Sequence, residues 1–133
     1  MMNGGAGTSP EKVFAKVSAE NGLVKIPVSA IGNASTAYFA YAVGDKEVKF
    51  FALKSVDGSL RVALDACNAC YRAKLGYHRQ GDSMICNNCG MAFRSQDIGV
   101  QHGGCNPIPV EKRTEGDMIV LNARDLEDGA KFF

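Results

Sequence analysis

Five cysteines carry the chemistry of this sequence. Cys67-x2-Cys70 and Cys86-x2-Cys89 are separated by fifteen residues, and fifteen more lead to Cys105. Two C-x-x-C pairs at this separation point to four thiolates on one metal centre. Two intervening residues let a tight turn aim both sulfurs at one point, with backbone N–H groups directed toward them. Two such turns face to face give a tetrahedral four-sulfur site, a donor set that suits zinc, iron or an iron–sulfur centre. Gly90, directly after Cys89, fits the second turn because glycine accepts a positive φ.

Cys105 sits in Gly103-Gly104-Cys105-Asn106-Pro107, a loop-like rather than core-like setting. It is a candidate fifth ligand, against the plainer reading of a buried thiol. His102 lies three residues before it and is a candidate additional ligand. His78 could also be a ligand but is the weaker candidate, since a lone histidine is more often a surface or hydrogen-bonded residue. Between Cys67 and Cys105 stand four basic side chains, Arg72, Lys74, Arg79 and Arg94, against two acidic ones. Such cations either cover a solvated loop or offset the negative charge of a four-thiolate centre and raise its reduction potential. Tyr71 and Tyr77 flank the same loop as shields of the site.

These residues need a scaffold, and the pattern before them is strand-like. Short strands are expected from Lys12 to Val17 and from Leu23 to Val28, with Asn21-Gly22 turning them into a hairpin. Pro27 marks the second as an edge strand or its end. Thr36 to Val43 and Lys46 to Ser55 flank Gly44-Asp45, as a tight hairpin requires. Val48, Phe50 and Ala52 fall on one face of the second strand, and Lys49 and Phe51 on the other. After the Val56–Ser59 turn, Leu60 to Ala66 completes a meander that delivers Cys67 at a strand end. Asn68 to Leu75 reads as a short helix closed by Gly76, and Tyr77 to Met84 as a polar loop around Gly81-Asp82. Ser95 to Gly99 reads as one helical turn capped by Ser95, and Met118 to Leu121 as a last strand. Asn122 to Asp128 is a short helix or loop, and Phe132 and Phe133 pack against the sheet.

The expected fold is α+β: one β-rich domain, an antiparallel meander or sandwich, with a cysteine-rich metal-binding insertion. Its boundaries are a flexible leader over 1–10 and a single metal-binding domain over 11–133, with the site segment at 65–107. At 133 residues and 46% hydrophobic, with seven Phe and four Tyr, the chain is long and apolar enough for a real core. A net charge of +1 argues against a dedicated nucleic-acid binder. No apolar run is long enough to span a membrane. The opening residues lack the pattern of a signal peptide and read as a leader. An odd cysteine count in C-x-x-C pairs ranks disulfides below metal binding.

From Leu64-Asp65-Ala66-Cys67-Asn68-Ala69-Cys70-Tyr71 onward the chain resembles the FtrD-like family of bacterial iron–sulfur membrane proteins. The resemblance continues through Gly76-Tyr77, Gly81-Asp82, Met84, Cys86-Asn87-Asn88-Cys89-Gly90, Phe93, Ile98-Gly99 and Gly103-Gly104-Cys105-Asn106-Pro107. It takes in Val24 to Pro27 and Asp57-Gly58 and reaches Phe132. It implies an extracytoplasmic, membrane-tethered domain with iron–sulfur chemistry, and partners such as the membrane permease or a redox protein of an iron uptake system. The expected function is therefore a cysteine-ligated metal-binding and electron-transfer domain serving iron handling. The expected cofactor is an iron–sulfur cluster or iron, with zinc or copper as alternatives. Two other readings stand beside it: a structural zinc-ribbon-like interaction module, and an iron or copper delivery protein. An enzyme is the weaker expectation, since no nucleophile–base pair or carboxylate dyad is identifiable.

Overall fold

The computed structural model describes residues 13–32, 35–69, 74–101 and 103–133. The described residues form ten strands and one short α-helix. The strands are β1 (Phe14–Val17), β2 (Leu23–Pro27), β3 (Thr36–Val43), β4 (Lys46–Lys54), β5 (Leu60–Leu64), β6 (Tyr77–Gln80), β7 (Ser83–Cys86), β8 (Ala92–Arg94), β9 (Arg113–Glu115) and β10 (Met118–Asn122). Helix α1 spans Ala123–Asp128. The protein is β-rich, with sheets that are mainly antiparallel.

Three small sheets stack in layers. The middle one has the order β1-β3-β4-β5, and the outer two are β9-β10-β2 and β6-β7-β8. The meander β3-β4-β5 is antiparallel, with Phe39 opposite Phe50 and Phe51 opposite Ala63. Strand alternation lets β4 serve two cores at once. Val48, Phe50 and Ala52 face β2, β10 and α1, where they meet Val24, Ile26, Ile119, Leu121 and Leu126. Phe51 and Leu53 face the other way and join Ala63, Cys67, Tyr77, Met84, Cys86 and Ile98. The alternation read from the sequence of β4 is the one observed.

Three expectations change. Strands β1 and β2 form no hairpin: β1 pairs in parallel with β3, and β2 pairs with β10. The local Asn21-Gly22 turn closes with Glu20 and Leu23 bonded to each other, yet the long apolar face of β10 wins β2. Pro27 does end an edge strand, as its missing N–H requires. The stretch from Tyr77 to Met84 is not a loop but the β6–β7 hairpin, turned by Gly81-Asp82. Ser95 opens a 3-10 turn over Ser95–Asp97 without capping it; its hydroxyl is bonded to Asp82 instead. The helix expected over Asn68 to Leu75 lies largely outside the described residues.

Phe132 and Phe133 pack on the first core, as expected. The third layer is fastened by Arg79. Its guanidinium donates to the carbonyls of Ser35 at 3.1 Å and Lys54 at 3.0 Å, and its Nε to Gly81 at 2.9 Å. Arg79 is thus a tie between sheets, not a cation of the cysteine loops.

Candidate metal centre

Three loops bring the described cysteines to one end of the second core. The first follows β5. Its strand pairing is extended by the segment 108–110: Leu64 N–H donates to Ile108 at 2.8 Å and Ile108 N–H to Ala66 at 3.1 Å. That pairing draws the Cys105 loop alongside the Cys67 turn, and Ala69 N–H donates to the Gly104 carbonyl at 3.2 Å. The second loop leaves β7 at Cys86. Gly90 N–H donates to the Cys86 carbonyl at 2.8 Å, and Cys86 N–H donates to Met91 at 2.9 Å, which closes the Cys86–Cys89 turn. Gly90 takes φ +80°, as its place after the turn suggested.

The residues 74–76 hold that turn from outside. Asn87 N–H donates to the Gly76 carbonyl at 2.9 Å, and its side-chain amide to Leu75 at 3.0 Å. His78 Nδ1 is bonded to Asn87 Oδ1, so it supports the turn rather than facing the sulfurs. Gly76 is required twice over. Its φ is +66°, and a Cβ there would lie 2.5 Å from the Asp65 carboxylate. That carboxylate is buried and accepts the Tyr77 N–H at 2.8 Å.

The Sγ atoms of Cys89 and Cys105 lie 3.2 Å apart. Cys67 and Cys86 are buried within the second core, and Cys105 packs against it. Tyr77 sits among them. Its phenol donates to the Cys105 carbonyl at 2.6 Å, and it stands opposite Cys86 across the β6–β7 hairpin. Burial first, then a hydrogen bond with Cys67 and the charges of Cys67, Cys86 and Cys105, hold its ionisation far above the usual phenol value. Burial likewise raises Tyr38, whose hydroxyl donates to the Tyr77 carbonyl at 2.8 Å.

Cys67 and Cys86 also line a cleft of about 630 Å³. The start of β4 lines it too, with Lys46, Glu47 and Lys49, as does Lys74. Of the four cations read from the sequence, Lys74 is at the cleft. Arg79 is engaged elsewhere, Arg94 pairs with Asp97 at 3.5 Å, and Arg72 lies outside the described residues. Lys46 and Lys49 carried no sequence signal toward the site, being remote from the cysteines in the chain.

Cys70 and His102 also lie outside the described residues. Among the described residues no group of three or more His, Cys, Asp or Glu side chains is arranged to hold a metal ion. The fit to a thiolate-bound metal rests on the cysteine pairs. Two thiolates sharing one tetrahedral ion at bonds of about 2.3 Å lie about 3.8 Å apart. The Cys89–Cys105 separation of 3.2 Å is shorter than that, so the pair is close enough to share an ion once it opens slightly. Cys67 and Cys86 are soft donors buried in the core on which Cys105 packs, and Cys89 is exposed beside it.

A β-rich scaffold presenting a cluster of thiols at the edge of an aromatic core is the class of protein defined here. More particularly, the chain belongs to the FtrD-like family, described as membrane iron-sulfur containing protein FtrD-like, whose model matches residues 31–133. The match includes all five cysteines and leaves Val24 to Pro27 outside it. No curated protein and no solved structure matches the chain. Among the described residues no helix is long and apolar enough to cross a membrane.

Proposed function

We propose that residues 11–133 form one metal-binding domain whose segment 65–107 holds a thiolate-ligated iron–sulfur centre. In this reading it transfers electrons outside the cytoplasm for an iron uptake system. Its partner would be the membrane permease of such a system or a redox protein that serves it. The observation that supports this best is the 3.2 Å approach of Cys89 and Cys105, with Cys67 and Cys86 buried in the aromatic core on which Cys105 packs. Cys67, Cys86, Cys89 and Cys105, joined by Cys70, would hold the centre, with His102 as a further candidate. A bound iron–sulfur centre supplies one-electron chemistry at a potential set by burial, hydrogen bonds to sulfur and nearby charge. The chain's own part is to orient the thiolates through the two pinned turns, exclude water with Tyr77, Phe51 and Phe93, and place Lys74, Lys46 and Lys49 nearby. Family membership supports iron–sulfur content over zinc.

The test is metal analysis with visible absorption on protein made under iron-replete conditions and purified anaerobically. The expected result is iron and sulfide in fixed ratio to protein and a colour that bleaches on reduction. Cys105→Ser should change iron content, spectrum or potential, because it removes a ligand. Unchanged values in that variant would return Cys105 to the role of a buried bystander. Colourless protein with stoichiometric zinc would sink the electron-transfer reading. The zinc alternative has its own support, since the Cys86–Cys89 turn joins two strands of a small three-stranded sheet, a frame that a closed structural zinc site can staple.

A further inference from the structure

The sulfurs of Cys89 and Cys105 lie 3.2 Å apart, and neither is in a disulfide. A disulfide bond is about 2.05 Å long, so an approach of about 1.1 Å would join them. The two differ from the other described cysteines in access. Cys67 and Cys86 are 1% and 2% exposed and belong to the second core, whereas Cys89 is exposed and Cys105 half-buried. In a C-x-x-C turn the ordinary partner of Cys89 would be Cys86. Here the turn leaves Cys86 inside the core at the end of β7 and carries Cys89 out to solvent. The Cys105 loop is fixed by its backbone. The Tyr77 phenol donates to the Cys105 carbonyl at 2.6 Å, Ala69 N–H to the Gly104 carbonyl at 3.2 Å, and Asn106 N–H to the Gly103 carbonyl at 3.1 Å. Cys105 is therefore held against Cys89, and the exposed Cys89 side chain supplies the remaining approach.

We propose that Cys89 and Cys105 form a dithiol–disulfide couple whose substrate is a small disulfide such as oxidised glutathione. The exposed Cys89 thiolate attacks one sulfur of that disulfide. The S–S bond breaks, one small thiol leaves, and Cys89 keeps the other half as a mixed disulfide. The Cys105 thiolate then attacks Cys89 Sγ, breaks the mixed disulfide and releases the second small thiol. The chain has lost two electrons and two protons, and the small disulfide has gained both. The second step joins atoms already 3.2 Å apart, which favours it over a further external encounter. The couple goes beyond the metal reading and bears on it. Sulfurs bonded to each other are not thiolate ligands, so the closed couple denies a metal two of its donors.

The experiment takes the full chain, reduced and stripped of metal, and incubates it with oxidised glutathione in the absence of oxygen. Mass spectrometry of alkylated peptides reads the result. Wild type should lose two hydrogens, retain no glutathione and carry one disulfide joining Cys89 to Cys105. Cys67 and Cys86 should remain open to alkylation once the chain is unfolded. Cys105→Ser should stop at a mixed disulfide on Cys89. A disulfide that uses Cys67, Cys70 or Cys86, or glutathione retained on wild-type Cys89, overturns the proposal. Should the stripped chain lose its strand signal in circular dichroism, loaded protein is treated in its place. Metal should then leave in step with the Cys89–Cys105 bond, and metal lost without that bond, or no bond at all, overturns the couple. Cobalt(II) gives a separate reading. The reduced chain should show a thiolate-to-cobalt band, the oxidised chain should lose it, and dithiothreitol should restore it. An oxidised chain that keeps the full band overturns the couple's claim on the centre. A reduced chain that takes no cobalt strikes the metal-centre reading instead, and the mapped disulfide still decides the couple.

Discussion

The two faces of β4 make different kinds of core. On one, Phe50 stacks on Phe39 at 5.4 Å, amid Val24, Ile26, Ile119, Leu121 and Leu126, and every buried member of the cluster is apolar. On the other, Phe51 and Leu53 share their layer with two buried cysteines and a buried phenol. The first needs nothing beyond the chain, because hydrophobic burial alone rewards it. The second keeps polarizable sulfur and a hydroxyl inside, which is poorer packing for stability and better placement for chemistry. One strand thus carries a structural face and a site face, and the stable one holds the other in register.

Truncating the two phenylalanines is the largest test of that division. Phe50→Ala and Phe51→Ala should each cost about 3–5 kcal/mol, the usual range for a buried phenylalanine. That is a large share of the roughly 5–15 kcal/mol that keeps a domain folded. Their signatures should differ. Folded Phe50→Ala should bind metal with the wild-type spectrum, and Phe51→Ala, which loses the edge contact with Tyr77, should not. Equal spectral change in the two, followed beside denaturant melts, would erase the distinction between the faces.

Gly76→Ala is a smaller and more local probe. The left-handed backbone costs a residue with Cβ about 1–2 kcal/mol. Displacing the Asp65 carboxylate then leaves the buried Tyr77 N–H short of its partner, for about 1–3 kcal/mol more. Gly90→Ala is the control: its φ is +80°, but a Cβ there meets nothing within 4 Å, so only the backbone cost applies. Hydrogen exchange should speed up in β6 and β7 of Gly76→Ala while β2 and β10 keep their protection. Faster exchange spread evenly over both faces would show one cooperative core rather than two.

The structural face was legible in the sequence and the site face only by its cysteines. Alternation in Val48–Ala52 and the Gly44-Asp45 turn specify the meander, because a half-buried strand must alternate and a tight turn must bend. Gly81-Asp82 is the same turn signal, yet its polar flanks read as loop. The residues around it, His78–Gln80 and Ser83, are polar, and the hairpin they belong to is held on the middle sheet by Arg79 reaching the Ser35 and Lys54 carbonyls, more than twenty residues away in sequence. The parallel pairing of β1 with β3 was hidden for the same reason: partner choice is decided by faces distant in the chain. The glycines and spacing around Cys105 point it toward the other cysteines, and its sulfur lies against that of Cys89. Tyr77 reads as no more than a shield, since no local pattern shows that a phenol will point at a carbonyl 28 residues on.

The smallest expected effect lies where the two faces share a connection, in the turn from β4 to β5. Asp57 accepts hydrogen bonds from the Ser55 hydroxyl and, at 2.9 Å, from the Ser59 N–H. The Ser55 bond first, then those from Ser59, lower its pKa from 3.8 to about 2. The folded value is below the unfolded one, so the carboxylate contributes stability above pH 4 and loses it as the pH falls from 4 to 2. Asp57 is fully exposed to solvent, which keeps the effect small. Wild type should melt slightly above Asp57→Asn from pH 5 to 7 by a constant margin. That margin should narrow below pH 4, be mostly gone at pH 2 and vanish near pH 1. Because the turn belongs to β4 and β5 alike, the substitution should loosen both cores together and leave the metal spectrum unmoved. A margin that persists undiminished at pH 2 would mean that the charge is not what matters. A shifted spectrum would mean that the turn speaks to the site face after all.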